Sequence, residues 1–386
     1  MIFSTPEADS LELAVIARID ELRQRLRNRV HNEPRRWPGR LRKHSLARGI
    51  RGSNSIEGYD ITKNDALAAV EGDDPLETSD RDWQAATAYR NAMTFVLQLS
   101  DDPHFQHDEW LVRSLHYMML QHNLDSTPGR YRTGPIFVFD EDLGEAVYEA
   151  PDEAAIPGLM SEFIDSLRSD RESRPLIRAA MAHLNLAMIH PFRDGNGRMA
   201  RCIQTLVLAR DGILAPEFSS IEEYLGRNHK EYYDVLARVG GGRWQPERDA
   251  RPWIRFSLKA YFQQATTVLR RVTEYQRLWE LLEIETAKRG LPERCIFALF
   301  DSAAGWRTRN ATYRRTADIS SQVASRDLAH LVEQGLLLPH GEKKGRFYSA
   351  GGRTLEIADQ AREARPPMED PFETTPPLQI PISLTE

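Results

Sequence analysis

The run His190-Pro191-Phe192-Arg193-Asp194-Gly195-Asn196-Gly197-Arg198, with Arg201 one helical turn further on, concentrates a base, an acid, two glycines and two cations suited to phosphate chemistry. Gly195 and Gly197 flank Asn196 at the start of a helix, leaving backbone N–H groups free to converge on an anion, and the helix dipole adds to the attraction. Arg198 and Arg201, three residues apart, share one face of that helix and can reach successive phosphates. Asp194 offers a hard oxygen ligand for Mg2+, which prefers a carboxylate or two together with phosphate oxygens. His190 stands just before the loop, and its near-neutral pKa suits a general base acting on a hydroxyl. Phe192 reads as a core anchor. A plain polar turn between helices would account for the glycines and Asn196, but not for two arginines on one face with a histidine and an acid at the mouth.

The flanking pattern has to hold this loop. Apolar residues recur at helical spacing over 10–30, 41–56, 80–99, 108–122, 153–169, 176–189 and from Gly197 to Gly212, with a long helix over 251–289. Pro34 and Pro38 break the pattern between the first two of these, and Pro191 ends the helix at His190, because a residue before proline is pushed out of the α region. Residues 132–148 differ: Ile136-Phe137-Val138-Phe139 and Ala146-Val147-Tyr148 around a short polar turn predict a β-hairpin in an otherwise helical chain. With 386 residues, 41% hydrophobic and 28% charged, the chain has material for two or three soluble domains. A net charge of −6 gives no global pull toward nucleic acid or anionic lipid. Cys202 and Cys295 are the two cysteines, read as buried thiols, so a reducing cytoplasm is expected. No basic-then-apolar leader and no apolar run of membrane-spanning length is seen.

The 190–201 run resembles the signature His-x-Phe-x-Asp/Glu-Gly-Asn-Gly-Arg-x-x-Arg of the Fic domain family at every fixed position. The resemblance covers about 109–260, including Pro128-Gly129-Arg130-Tyr131-Arg132 before the hairpin and Arg251-Pro252-Trp253-Ile254 after the core. It implies a mainly α fold, a Fic-type helical core with a β-hairpin flap, and transfer of AMP from Mg-ATP to a Ser, Thr or Tyr hydroxyl of a target protein or of the chain itself. On that resemblance His190 deprotonates the hydroxyl and Asp194 holds Mg2+. Gly195, Asn196 and Gly197 hold the inner phosphates, while Arg198 and Arg201 grip the outer ones. Tyr232 and Tyr233 match an adenine-side aromatic pair, and Val138, Phe139, Asp140 and Glu141 form the flap that clamps the target by strand addition. Relatives often carry an asparagine for the adenine where this chain has Gly240-Gly241-Gly242.

Ser53-Asn54-Ser55-Ile56-Glu57-Gly58 matches the family's inhibitory helix, Ser/Thr-x-x-x-Glu-Gly/Asn. A carboxylate in the last turn of a helix is ill placed with respect to the dipole and seeks a cation. The resemblance makes that cation Arg201, whose occupation by Glu57 removes a phosphate grip. Two rivals stand beside this reading: removal of AMP from a modified protein, with Glu57 positioning a water, and a DNA-binding regulator whose core only senses nucleotide. The intact His190 counts against the latter, because sensing needs no base.

The pattern predicts an N-terminal helical region over 1–108, the Fic core over 109–260, a connecting helix over 261–291, a C-terminal winged-helix domain over 292–352 and a disordered Pro-rich tail over 353–386. From Arg307 to Arg346 there are eight basic residues (307, 309, 314, 315, 326, 343, 344, 346) against four acidic ones, with Arg326, Lys343 and Lys344 the candidate DNA contacts. A docking or homodimer module with solvated arginines is the competing reading of the same charges.

Overall fold

The computed structural model describes residues 1–140, 145–170, 172–213, 220–363, 367 and 369–376, with the backbone alone described for Phe139, Asp140, Glu145 and Lys344. The chain opens with α1 (Ser10–His31), α2 (Trp37–Ile56), α3 (Lys63–Glu71) and α4 (Asp80–Gln98). Then come α5 (Glu109–Leu120), the hairpin β1 (Phe137–Asp140) and β2 (Glu145–Glu149), and α6 (Ile156–Ser169). The loop-bearing pair α7 (Pro175–Ile189) and α8 (Asn196–Arg210) follows, with α9 (Glu222–Arg227), α10 (His229–Gly240) and the long α11 (Arg251–Lys288). The chain ends in α12 (Cys295–Ala303), α13 (Asn310–Ala317), α14 (Ser321–Glu333), the hairpin β3 (Leu337–His340) and β4 (Phe347–Ala350), α15 (Gly352–Ala361) and α16 (Pro371–Thr374).

Helix starts follow local side-chain chemistry. Asp9 accepts the Glu12 N–H while the Glu12 carboxylate accepts the Asp9 N–H, a reciprocal cap for α1. Asp108 accepts the Leu111 N–H at 2.6 Å and starts α5 as its sequence position predicts. In α7 all but a few side chains are buried, so the helix is apolar around most of its circumference and runs through the middle of the molecule with α8 beside it. The Glu12 carboxylate, buried, pairs with Arg251 at 2.9 Å and Arg255 at 3.1 Å, which ties α1 to the first turns of α11.

Several expectations need correction. Pro38 does not break a helix: α2 begins four residues before the predicted Leu41, and Pro38 sits in its first turn, where a missing N–H leaves no intrahelical bond unmade. The short helices α3, α9, α13 and α15 have no counterpart in the expected elements. The segment expected to be disordered from 353 onward contains α15, whose Ile357, Ala358 and Ala361 are buried, and α16. Around α16, Glu369 pairs with Arg18 at 2.7 Å and its carbonyl accepts from the Gln263 side chain at 2.7 Å, so the segment lies on α1 and α11. Residues 377–386 of the tail lie outside the described residues.

In the C-terminal part, Arg307 pairs with Glu77 at 2.5 Å, Arg315 with Asp73 at 2.7 Å, and Arg309 donates to the Asp74 carbonyl at 2.7 Å. Three of the eight cations are thus spent holding α13 and its approach against the turn between α3 and α4. Arg326 and Lys343 stay exposed.

Candidate active site

The site begins where α7 stops. His190 takes a left-handed conformation, φ 50°, that an L-residue adopts only under constraint, and Pro191 behind it prevents the helix from continuing. Arg132 supplies the constraint. Its backbone N–H donates to the Pro191 carbonyl at 2.9 Å, its Nε to the His190 carbonyl at 2.9 Å, and its other nitrogens to the carbonyls of Gly134 and Pro151. This buried guanidinium joins the base of the β1–β2 hairpin to the backbone of His190. Arg132 was legible only as part of a resembling segment, with no role attached.

The His190 ring, half-buried, has Nδ1 3.1 Å from the Ala187 carbonyl. A carbonyl can only accept, so Nδ1 carries the proton and Nε2 keeps its lone pair. Burial lowers the His190 pKa below 6.5, and Arg132 nearby acts in the same direction against the pull of the Ala187 carbonyl. The ring is therefore a neutral base at pH 7.

The loop is held from beneath. Phe192, fully buried, stacks on His116 with ring centres 3.7 Å apart. His116 Nδ1 accepts the Gly129 N–H at 2.8 Å, which leaves Nε2–H to donate to the Asp194 carbonyl at 3.0 Å. The Asn196 side chain is buried and fully engaged, its oxygen accepting from the Phe192 N–H at 2.9 Å and its nitrogen donating to the Phe192 carbonyl at 2.8 Å. Asn196 thus clamps the loop rather than reaching a phosphate, which corrects the role given to its side chain. Gly195, at φ +76°, caps α8, and the first-turn amides beyond it have no intrahelical acceptor.

Burial pushes His116 down to about 4 and His183, which bonds Gln204 and the Tyr232 hydroxyl, down to about 3. The unfolded chain would bind those protons near 6.5, so stability rises with pH between about 3 and 6.5 and falls as the medium is acidified through that window. Each histidine contributes ~1.4 kcal/mol per pH unit there. Urea midpoints should fall steadily from pH 6.5 to pH 4.5, and a flat profile would contradict buried neutral rings at these positions.

The end of α2 closes the mouth. Glu57 lies 2.7 Å from Arg201 Nη2, and Ser53 accepts from Arg201 through its hydroxyl at 2.8 Å and its carbonyl at 3.1 Å. Burial would lower the Arg201 pKa, but Glu57, with Tyr232 and Tyr89, outweighs it and raises it above its usual value. A β-carbon added at Gly197 would stand 2.4 Å from Glu57 Oε1, so this carboxylate occupies the space directly over the first turn of α8. Gly197→Ala should therefore both unseat Glu57 and obstruct any anion. The measurable outcome is loss of nucleotide affinity by about tenfold or more in calorimetry, and unchanged affinity would place the anion elsewhere.

Arg198 is buried, and none of its three guanidinium nitrogens is hydrogen-bonded among the described residues. It lies 3.7 Å from an Asp194 oxygen, and its guanidinium carbon sits 4.9 Å from the ring centre of Tyr59. Residues 57–59 thus cover both motif arginines at once, Glu57 on Arg201 and Tyr59 on Arg198. Tyr59 carried no signal in the sequence, since an aromatic after a helix end is ordinary. The helix that carries Glu57 is itself seated by glycines: a β-carbon on Gly52 would fall 2.3 Å from the Glu222 carbonyl of α9, and one on Gly226 2.7 Å from Gly52 Cα.

Asp194 keeps a partly exposed carboxylate, one oxygen accepting the Gly195 N–H at 2.5 Å and the other 3.4 Å from the Ser126 hydroxyl. Among the described residues no cluster of three or more His, Cys, Asp or Glu could hold a metal with protein donors alone. A single open carboxylate beside a phosphate cradle is the donor set that Mg2+ uses when phosphates and waters complete its shell, so the residues present fit such an ion.

The remaining expectations divide. Tyr233 is partly exposed and donates from its hydroxyl to the Ile56 carbonyl at 3.1 Å, beside Glu57. Tyr232 is buried, with its hydroxyl on His183, and is core rather than an open adenine wall. Gly240 has a packing reason, since a β-carbon there would press 3.2 Å into the Tyr148 ring; Gly242 has a backbone reason, φ +82°, and its carbonyl accepts the Glu149 N–H at 3.0 Å along β2. In the hairpin, Val138 pairs with Tyr148 and an irregularity follows before Phe139. The strand includes Phe139 and Asp140, and Glu141 lies outside the described residues.

With this geometry in place, residues 106–208 match the Fic/DOC family. That stretch of the chain resembles a Fic domain. A protein of Nematostella vectensis described as protein adenylyltransferase Fic is 30% identical over 261 residues, 65% of this chain and 55% of that protein. One of Aedes aegypti with the same description is 30% identical over 183 residues, 47% of this chain and 33% of that protein. The chain thus spans about half the length of the first of these curated relatives and less of the other. A Fic family protein from Desulfovibrio desulfuricans G20 superposes with a TM-score of 0.58 at 22% identity, covering 90% of this chain and 98% of that one. A Fic domain-containing signaling protein from Bacteroides thetaiotaomicron gives 0.55 at 20% identity, covering 68% and 96%. These two likenesses show a shared fold.

Proposed function

We propose that this Fic domain transfers AMP from Mg-ATP to a Ser, Thr or Tyr hydroxyl of a target protein, or of itself, and that Glu57 holds it back. The observation that carries the reading is the Glu57 carboxylate at 2.7 Å from Arg201, lying over Gly197 where a helix N-terminus would otherwise receive an anion. An acidic group seated on an anion site is what a brake on phosphate binding looks like.

In the released state, Nε2 of His190 accepts the proton of the target hydroxyl. The hydroxyl oxygen bonds to the α-phosphorus as the bond from that phosphorus to the bridging oxygen breaks, and the electron pair leaves with pyrophosphate. Mg2+ bound at Asp194 would supply charge neutralisation on the phosphates. The first-turn amides of α8 and the freed Arg201 face the oxygens on which charge develops. The β1–β2 hairpin, anchored to the His190 backbone through Arg132, is suited to aligning an extended target strand beside the base. For the C-terminal elements we read a winged helix whose arginines serve intramolecular docking before DNA, since Arg307, Arg309 and Arg315 are already engaged.

The test is positional labelling. With ATP labelled at the α-phosphate, the Glu57→Gly protein should acquire label when His190 is intact, whereas label at the γ-phosphate should stay in solution. Protein labelled from the γ-position alone would replace adenylyl transfer with phosphoryl transfer.

A further inference from the structure

A second basic cleft lies away from the 190–201 motif. It has a volume of about 360 Å³ and is lined by Arg48, Lys63, Arg270, Arg271 and Arg362, with Glu274 among them. These residues come from α2, α3, α11 and the end of α15, so four parts of the chain meet at one concentration of positive charge. Leu278, Ala303 and Ala358 add an apolar wall.

Not all of this charge is neutralised within the protein. Arg270 pairs with Glu274 at 2.5 Å, Arg271 grips Glu223 with two nitrogens at 2.7 and 2.6 Å, and Arg362 pairs with Asp359 at 2.7 Å. Lys63 donates to the Gly305 carbonyl at 3.0 Å and rests 4.1 Å from the centre of the Trp306 ring, but forms no ion pair among the described residues. Arg48 lies over the same ring at 4.9 Å, and its Nη1 is buried without a hydrogen-bond partner among the described residues. Trp306 therefore bears two cations that form no ion pair among the described residues, with Glu223 the carboxylate near enough to attract both. Desolvation, together with Arg48 and Arg271, drags Lys63 down to about 8, a sign of like charges crowded at the cleft. An anion would relieve that crowding and give Arg48 the partner it lacks. A forked guanidinium beside an ammonium, with an apolar wall behind them, suits a phosphate ester of a small organic molecule, and the volume is in the range of such sites.

We propose that the cleft between α2, α3, α11 and α15 is a separate binding site for a small phosphorylated molecule, held chiefly by Arg48 and Lys63. Its consequence rests on the reading of Glu57 given above. Glu57 caps α2 nine residues after Arg48, so a ligand that ties Arg48 to α3 and α11 stabilises the docked helix and with it the Glu57–Arg201 pair.

The site is tested without reference to activity, so that its failure and the failure of the adenylyl-transfer reading stay distinct. Pyrophosphate is titrated calorimetrically into the parent and the Arg48→Gln/Lys63→Gln double variant. The parent should bind saturably and the double variant at least tenfold more weakly. Pyrophosphate should also raise the unfolding temperature of the parent but not of the double variant, since only a ligand bound to the folded state stabilises it. Arg362→Ala, an exposed change that spares the fold, should weaken binding a few-fold. Absence of saturable binding to the parent, or equal binding by the double variant, would overturn the proposal.

Discussion

Glu57→Gly is expected to raise AMP transfer ten- to a thousandfold, most visibly as labelling of the protein on itself. Arg201 is fully buried and Glu57 partly so, and a charge pair of that kind holds several kcal/mol when desolvated and about 1 kcal/mol when water reaches it. Each 1.36 kcal/mol is tenfold in rate, which sets the range. Ser53 would still hold Arg201 through two contacts, so the arginine stays aligned rather than collapsing into the vacated space. The gain should vanish in Glu57→Gly with Arg201→Ala, because both changes act through one phosphate contact and cannot add. If Glu57→Gly labels no better but can no longer strip AMP from a modified partner, then Glu57 serves removal rather than restraint.

His190→Ala should abolish transfer, by about 10²–10⁴ in rate, while leaving ATP affinity nearly intact. The ring has one free nitrogen, Nε2, for the hydroxyl proton, and Nδ1 is fixed by the Ala187 carbonyl. Because burial lowers its pKa, the acid limb of kcat/KM in the parent should lie below pH 6.5, and that limb should be absent from any residual activity of the variant. Asp194→Ala should instead weaken Mg2+ and nucleotide together. A His190→Ala protein that transfers AMP at the parent rate would remove the base from the mechanism.

Much of the site was readable because the loop chemistry is local. Pro191 and Gly195 dictate where α7 ends and α8 begins, and the helical spacing that puts Arg198 and Arg201 on one face needs no tertiary information. The Glu57 motif could be read as a helix end seeking a cation, but the 2.7 Å contact depends on a partner 144 residues away. What stayed hidden was set by long-range packing. Asn196 could equally face a phosphate or its own loop, and only the Phe192 backbone decides. Tyr232 and Tyr233 look interchangeable in sequence, yet the fold buries one on His183 and turns the other to Ile56. Arg307, Arg309 and Arg315 look like a nucleic-acid surface until the acids at 73–77 are folded against them. The short helices α3, α9 and α13 are too brief to carry a clear apolar period and owe their existence to what they pack on.

The central claim, that a nucleotide-dependent AMP transfer is restrained by Glu57, is tested most directly by intact mass spectrometry of purified protein after incubation with Mg-ATP. The account predicts little or no adduct on the parent, one or more AMP groups on Glu57→Gly, and none on Glu57→Gly with His190→Ala. Equal modification of parent and Glu57→Gly, or modification that persists without His190, would contradict it.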